Sequence, residues 1–217
     1  MATLYPSIKA MESSTANRVF YLSAKTSTQA LAQIALKDIT VAGGKLRSIV
    51  ITSKGKTCFS PGQPCHPDHC EYAKGYYDQV QDTIDTMLVE TEHFDRPTIE
   101  FAARRDRVCP FELSLDLSRS CDAIIADYNY VFDPVVYLRR FFDSSNKDSI
   151  ALVDEAHNLV DRGRDMFSSE VFKESYLEIA GASKHIAPAI MKAAQKVNRA
   201  FLNYKKRHKN ELDTHGH

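Results

Sequence analysis

With 217 residues, 43% apolar and 26% charged content, and Lys plus Arg matching Asp plus Glu at 28 each, the sequence describes an ordinary globular chain of one large domain or two small ones. The balance argues neither for nor against nucleic acid, so any basic surface has to come from local clusters: Arg104, Arg105 and Arg107; Arg139 and Arg140; Lys205, Lys206, Arg207 and Lys209. No apolar run reaches the ~18 residues that span a bilayer and the amino terminus lacks a signal-peptide pattern, which implies no membrane and a cytoplasmic chain.

Leu4, Ile8 and Met11 are spaced for one helical face, and the chain opens inside that pattern without a capping residue, so its beginning reads as cut. Residues 19–22 then form a buried strand. The segment Ser23-Ala24-Lys25-Thr26-Ser27-Thr28-Gln29 leads into a helix capped by Ser27 or Thr28 and continued by Ala30, Leu31, Ile34, Ala35 and Ile39. Hydroxyls and a lysine at such a turn can hold a phosphate, although a well-capped helix is the simpler explanation. Gly43-Gly44 turns the chain into a second strand within residues 46–52.

Residues 53–70 break this α/β rhythm, being rich in Gly, Pro, Lys and Cys with no period of either kind. Cys58, Cys65 and Cys70 lie there, separated by six and then four residues, and Cys109 follows 38 residues later, directly before Pro110. Loop cysteines joined by one from a distance can set four thiolates around one metal centre, as iron–sulfur clusters require. Zinc is the rival, with His66 and His69 between two of the cysteines, but the spacings miss the paired two-residue knuckles. Buried free thiols are disfavoured, because a Gly- and Pro-rich loop offers little apolar core. Between the third and fourth cysteines, Tyr72, Tyr76, Val80, Ile84, Met87 and Leu88 form one helical stripe, and Asp95 before Pro97 starts a second helix ending near Val108. That places Arg104, Arg105 and Arg107 beside the metal centre, where they either serve a groove for single-stranded nucleic acid or simply face solvent.

A short helix over residues 111–117 and a strand over 123–126 follow, and Cys121 reads as a small buried residue. Pro134 suits the first turn of a helix with Val135, Leu138, Phe141 and Phe142 on its apolar side. The apolar run 150–153 has the pattern of a strand buried on both faces of a parallel sheet, and Asp154 and Glu155 close it. Ligands collect outside the carboxyl ends of such strands, so the two acids face a site. In nucleotide hydrolysis one carboxylate can hold magnesium through water while its neighbour orients or deprotonates the attacking water. Acids in the first turn of a following helix are the plain alternative. Beyond Asp161 the pattern is helical, carried by Phe172, Tyr176, Ile179 and Ala180, then by Ile190, Ala194, Val197, Phe201 and Tyr204, while His215 and His217 belong to a frayed end.

Asp154-Glu155-Ala156-His157 at a strand end resembles motif II of superfamily 2 helicases, the D-E-A-H box. With the cysteines placed, the chain resembles the iron–sulfur helicase family typified by DinG and XPD, in its bacterial DinG-like branch. Tyr21-Leu22-Ser23-Ala24-Lys25-Thr26 resembles motif Ia, the four spaced cysteines correspond to the cluster ligands, and Cys109-Pro110-Phe111-Glu112 and residues 126–134 resemble family segments on either side of a strand.

The resemblance implies an α/β fold: a partial RecA-like parallel-sheet motor domain (1–52 with motif Ia, 111–163 with motif II), an inserted, largely helical iron–sulfur domain (53–110), and the start of a helical arch domain (164–217). It implies an ATP-dependent 5′-to-3′ DNA helicase of repair or replication, with a 4Fe–4S cluster on Cys58, Cys65, Cys70 and Cys109. Asp154 then holds magnesium, Glu155 activates water and His157 links the nucleotide state to the DNA site. Ser23, Lys25 and Thr26 contact the backbone of single-stranded DNA. A working member also needs a Gly-rich phosphate loop ending in Gly-Lys-Thr or Gly-Lys-Ser and a second motor domain. The chain reads as having neither, so the expectation is a truncated helicase, inactive alone, with ATP and magnesium belonging to the full-length parent and a missing half as a partner in trans. The alternative is a non-catalytic iron–sulfur or zinc module that contacts single-stranded DNA or a protein. A zinc hydrolase ranks last for want of His-x-x-x-His spacing.

Overall fold

The computed structural model describes residues 3–136, 138–142 and 148–208. Of the expected basic clusters, Arg139 and Arg140 are described in backbone only. Lys209, like His215 and His217, lies outside the described residues. The chain divides into two compact units, Met1–Phe167 and Ser168–His217.

The first unit runs α1 (Leu4–Glu12), β1 (Arg18–Leu22), α2 (Thr26–Val41), β2 (Ser48–Val50), α3 (Lys54–Thr57), α4 (Tyr76–Glu90), β3 (His93–Phe94), α5 (Arg96–Arg105), α6 (Pro110–Leu117), β4 (Ala123–Ala126), α7 (Asn129–Phe132), α8 (Arg139–Phe142), β5 (Ser149–Val153) and α9 (Leu159–Met166). The strands form one parallel sheet in the order β3-β2-β4-β1-β5. Its middle is apolar on both faces because side chains alternate along each strand and helices cover both sides. Phe20, Leu22, Ile49 and Ile124 pack with Met87, Ile99 and Leu113 from α4, α5 and α6. Val19, Val50 and Ile125 pack with Leu4, Ala32 and Leu36 from α1 and α2.

β5 departs from expectation. It pairs with β1 and with no other strand among the described residues, so it is an edge strand, half-buried and exposed at Ala151, not a strand buried on both faces. An apolar run of this length cannot by itself distinguish a centre from an edge. α2 starts at Thr26, ahead of Ser27 and Thr28, and has no side-chain cap. Its entry is fixed instead by Ser23, whose Oγ accepts the Lys25 amide (3.2 Å) and whose carbonyl accepts the Gln29 side-chain amide (2.7 Å). The buried face is Ala32, Ala35 and Leu36, which leaves Leu31 and Ile34 exposed.

Two further differences lie where polar contacts override the apolar pattern. No helix starts at Pro134: the Asp133 carboxylate accepts the amides of Val135 (2.8 Å) and Val136 (3.0 Å), forming a turn that leaves Val135 exposed. Leu138 and Phe141 are buried beyond it, with Phe141 edge-on to Phe20. β3 was not expected at all. This two-residue strand, inside the stretch read as an insert, pairs parallel with β2 and buries Phe94 in the core of the sheet.

The second unit holds α10 (Lys173–Ala182) and α11 (Pro188–Arg207), where the Tyr176 and Phe201 rings lie 6.0 Å apart and Ala194 is buried. Phe172, Ile190 and Tyr204 remain exposed. Among the described residues no helix is long and apolar enough to cross a membrane.

α5 is anchored by Asp95, whose carboxylate accepts the Thr98 amide (3.1 Å) and hydroxyl (2.6 Å) and faces Lys37 of α2 at 3.7 Å. Burial alone would raise the Asp95 carboxyl, but the Thr98 bonds and Lys37 hold it below the usual range. An N-cap of this kind contributes about 1–2 kcal/mol. Asp95→Ala is therefore expected to destabilise the fold by about that amount at neutral pH. Because the folded-state carboxyl titrates below the unfolded one, the gap between wild type and variant should close as pH falls below ~4, a trend that denaturant unfolding across pH checks.

His93 works in the opposite pH region. Its Nδ1 lies 2.8 Å from Ser48 Oγ, its buried Nε2 has no hydrogen-bond partner among the described residues, and burial, with Lys37 adding, pushes its pKa down against the pull of Glu92 and Asp95. The unfolded chain thus binds the proton more readily, and stability should fall as pH drops through ~6.5. His93→Gln should flatten that slope, read as the unfolding midpoint between about pH 7.5 and 5.5.

Candidate functional site

Every strand is parallel, so all carboxyl ends share one edge of the sheet, and the loops leaving β1, β2 and β4 enclose a groove of mixed polar and apolar lining, 620 Å³ in volume, there. Thr26, Gln29, Ser53, Lys56, Arg96 and Asn129 are among its lining residues. Arg96 is committed to structure: its guanidinium donates to the Lys56 carbonyl (2.6 Å) and to Glu100 (2.5 Å), tying the loop after β2 to the start of α5.

The acids expected to close β5 stand at the same edge. The Asp154 amide donates to the Leu22 carbonyl (2.9 Å), which continues the β1–β5 ladder one residue past the strand. Its side chain accepts the Ser23 hydroxyl at 3.2 Å, and its carbonyl accepts the Tyr128 hydroxyl. Burial, with Asp154 nearby, raises the Tyr21 phenol. Glu155 has φ +51° and ψ +45°, a left-handed conformation unusual for a residue with a side chain. Strain of this kind persists where the surroundings over-determine it. Glu155 Oε1 lies 3.2 Å from Lys25 Nζ and its Oε2 3.5 Å from His157 Nε2, a largely exposed ring. The structure thus brings Ser23, Lys25, Asp154, Glu155 and His157 together, while Thr26 turns to the groove. Tyr128 was not singled out in the sequence, although it lies in the segment 126–134 that carries part of the resemblance.

Gly55-Lys56-Thr57 spells the end of a phosphate loop, a match the sequence reading passed over. The wider pattern is absent, because Val50 occupies the position five residues before Gly55 that such a loop gives to glycine. Thr57 is also buried, with its hydroxyl toward Glu100 (3.4 Å).

A second concavity of 320 Å³ lies over α6. Cys58, Cys65, Cys70 and Cys109 all line it, with Lys54, Phe59, Tyr72 and Tyr76. Among the described residues no three His, Cys, Asp or Glu side chains form a group that could hold one metal ion, so the thiols surround a space without converging on a point. His66 and His69 are not among the lining residues. His66 faces Asp68 at 3.2 Å instead. The Lys54 ammonium is favoured by its hydrogen bond to Cys65 and, more weakly, by Cys58 and Cys109, so a cation already sits beside these sulfurs. Burial pushes the Cys109 thiol up, although the Glu112 and Phe111 amides point at it. Cys121 lies elsewhere, buried at 2% exposure with its thiol pushed up to about 12 by burial, the behaviour of a packing residue. Of the arginines expected near the cysteines, Arg104 stacks over Phe59 at 3.8 Å, whereas Arg105 is paired with Glu90 and Asp106.

The chain is 30% identical over 90 residues to a regulator of telomere elongation helicase 1 homolog from Caenorhabditis briggsae, covering 42% of this chain and 9% of that protein. It is 29% identical over 91 residues to the general transcription and DNA repair factor IIH helicase subunit XPD/RAD3 of Saccharomyces cerevisiae, covering 42% of this chain and 11% of that one. The chain therefore matches only a small part of the length of these relatives. Its fold is that of a solved structure described as truncated XPD, with a TM-score of 0.58 at 17% identity over 91% of this chain and 56% of the other. An XPD helicase structure gives 0.55 at 18% over 92% and 34%. The DEAD_2 family model matches residues 23–176, a span that begins at Ser23 of the β1–α2 turn and takes in the cysteines and the acids, and the chain belongs to the DEAD_2 family.

Proposed function

We propose that this chain carries motor-domain machinery of an ATP-dependent DNA helicase that moves 5′ to 3′ on single-stranded DNA and holds a 4Fe–4S cluster. The observation that carries the reading is the cysteine cavity: four thiols, three from a loop and one from beyond a further 38 residues, line one space, and the fifth cysteine is excluded. Thiols spread around a cavity suit a cubane, which interposes its own iron and sulfide between its ligands, better than a single zinc ion, which draws its donors to one point.

The acid pair supplies the hydrolytic part. Asp154, held by Ser23 and offered at the carboxyl edge, is placed to hold the magnesium of a nucleotide through water. Glu155 is placed to orient the attacking water, and His157, against its second oxygen, to sense the nucleotide state. Ser23, Lys25 and Thr26 at the start of α2, with the groove beside them, are the backbone-contacting set, and the groove tracks the single strand. The relatives matched are of XPD type, and assignment to the DinG-like branch is a finer proposal that rests on the motifs alone.

Without a phosphate cradle of the Gly-x-x-x-x-Gly-Lys kind in its 217 residues, this chain by itself is expected to show no DNA-stimulated ATP hydrolysis, since phosphoryl transfer depends on that positioning. Robust turnover by the purified chain would overturn that expectation. The cluster is tested separately, by iron, sulfide and zinc analysis after purification without oxygen. We expect about four iron and four sulfide per chain, lost in Cys109→Ser and kept in Cys121→Ser. Zinc without sulfide would replace the cluster with a zinc module that binds DNA or protein without catalysis.

A further inference from the structure

The β1–α2 turn presents alternate residues in two directions. Ala24 and Thr26 line the groove. Ser23 and Lys25 face the acids instead, with Ser23 Oγ at 3.2 Å from Asp154 Oδ2 and Lys25 Nζ at 3.2 Å from Glu155 Oε1. Lys25 is thus flanked in sequence by two groove residues, yet gives its charge to the acid beyond β5.

That commitment is weak and reversible by its surroundings. The two side chains are 61% and 39% exposed, and ion pairs of this kind contribute little net stability. The lysine stem is flexible, so one ammonium can serve either direction. The backbone that carries the acid is held: Glu155 is in a left-handed conformation, directly after an amide bonded to Leu22. Arg96, the arginine of the groove, is spent on Glu100 and the Lys56 carbonyl, which leaves the neutralising of phosphates to lysines.

Resting on the strand reading above, we propose that Lys25 is a shared cation that couples the groove to the acid pair. In the strand-free chain it neutralises Glu155. When a single strand lies in the groove it transfers to a backbone phosphate, and the Glu155 carboxylate is left without its lysine partner. The coupling is reciprocal: whatever strengthens the hold of Glu155 on Lys25 weakens strand binding by the same factor. Strand occupancy thereby reaches the water-orienting acid through one side chain, without movement of the sheet.

A double-mutant cycle on the full chain tests this, with binding of a fluorescein-labelled oligothymidylate read by anisotropy at one fixed salt concentration. Glu155→Gln frees the lysine and should tighten binding about threefold, within the range expected for releasing an exposed ion pair. Lys25→Gln should weaken binding. In the Lys25→Gln background, Glu155→Gln should then have almost no effect. Equal tightening in both backgrounds would show a general charge effect and overturn the shared cation while leaving the strand reading intact. Absence of binding by all four proteins would overturn the strand reading and the shared cation with it. Both substitutions sit at exposed side chains, so circular dichroism is expected to report the same fold throughout.

Discussion

The hydrogen bonds that carry the sheet one residue beyond its strands hold the site together. The Ser23 amide donates to Ala126 (3.0 Å), the Ile51 amide to Ile125 (2.9 Å) and the Asp154 amide to Leu22 (2.9 Å). Each bond extends a parallel ladder, β1–β4, β2–β4 or β1–β5, and in β1 Leu22 stands opposite Ala126 on one side and Val153 on the other. Register in a sheet buried on both faces is strongly specified, because a slip of one residue would move Phe20 and Leu22 to the face occupied by Val19. The positions of Ser23 and Asp154 therefore follow from apolar packing several residues away. Their 3.2 Å contact joins positions 131 residues apart in sequence.

Much of this was legible in the chain. Residues 19–22 and 123–126 announce themselves because doubly buried strands are almost purely apolar, and Asp95 before Pro97 announces α5 because capping and proline geometry are local. The acids and the cysteines were legible as sets. What the sequence withheld was relational. β5 has as apolar a run as a central strand, and only its lack of a second pairing partner among the described residues shows it to be an edge. β3 is two residues long, too short for any period, and exists because β2 offers it a ladder. Lys25 and Glu155 looked like separate motif members, and nothing in either motif says that one would be found on the other.

The two concavities depend on one another through the segment that leaves β2. Ser53 and Lys56 line the groove, while Lys54 and Cys58, interleaved with them, line the cysteine cavity. A single helical turn, α3, thus carries both walls, and Arg96 fixes it by binding the Lys56 carbonyl. Thr57, facing Glu100 on α5, buries the turn between them. Ligation of Cys58 would restrict this turn at its carboxyl end, just as Ile51 restricts it from the amino side through the ladder. The proposed cluster would therefore have a mechanical consequence independent of any redox chemistry: it would stiffen the floor on which the proposed strand would lie.

The same logic explains why Cys109 precedes Pro110. Proline at the first position of α6 fixes the backbone where the fourth sulfur leaves the helix, and the Leu113 amide closes the first turn onto the Cys109 carbonyl at 2.9 Å. α6 in turn buries Leu113, Leu115 and Leu117 in the core that holds Phe20 and Leu22. The distant cysteine is thus mounted at the start of a helix packed into the core, and the other three lie in the loop before α4. A segment that contributes β3 to the sheet and α5 to its core, and that leads directly into α6, would stiffen the groove through packed elements.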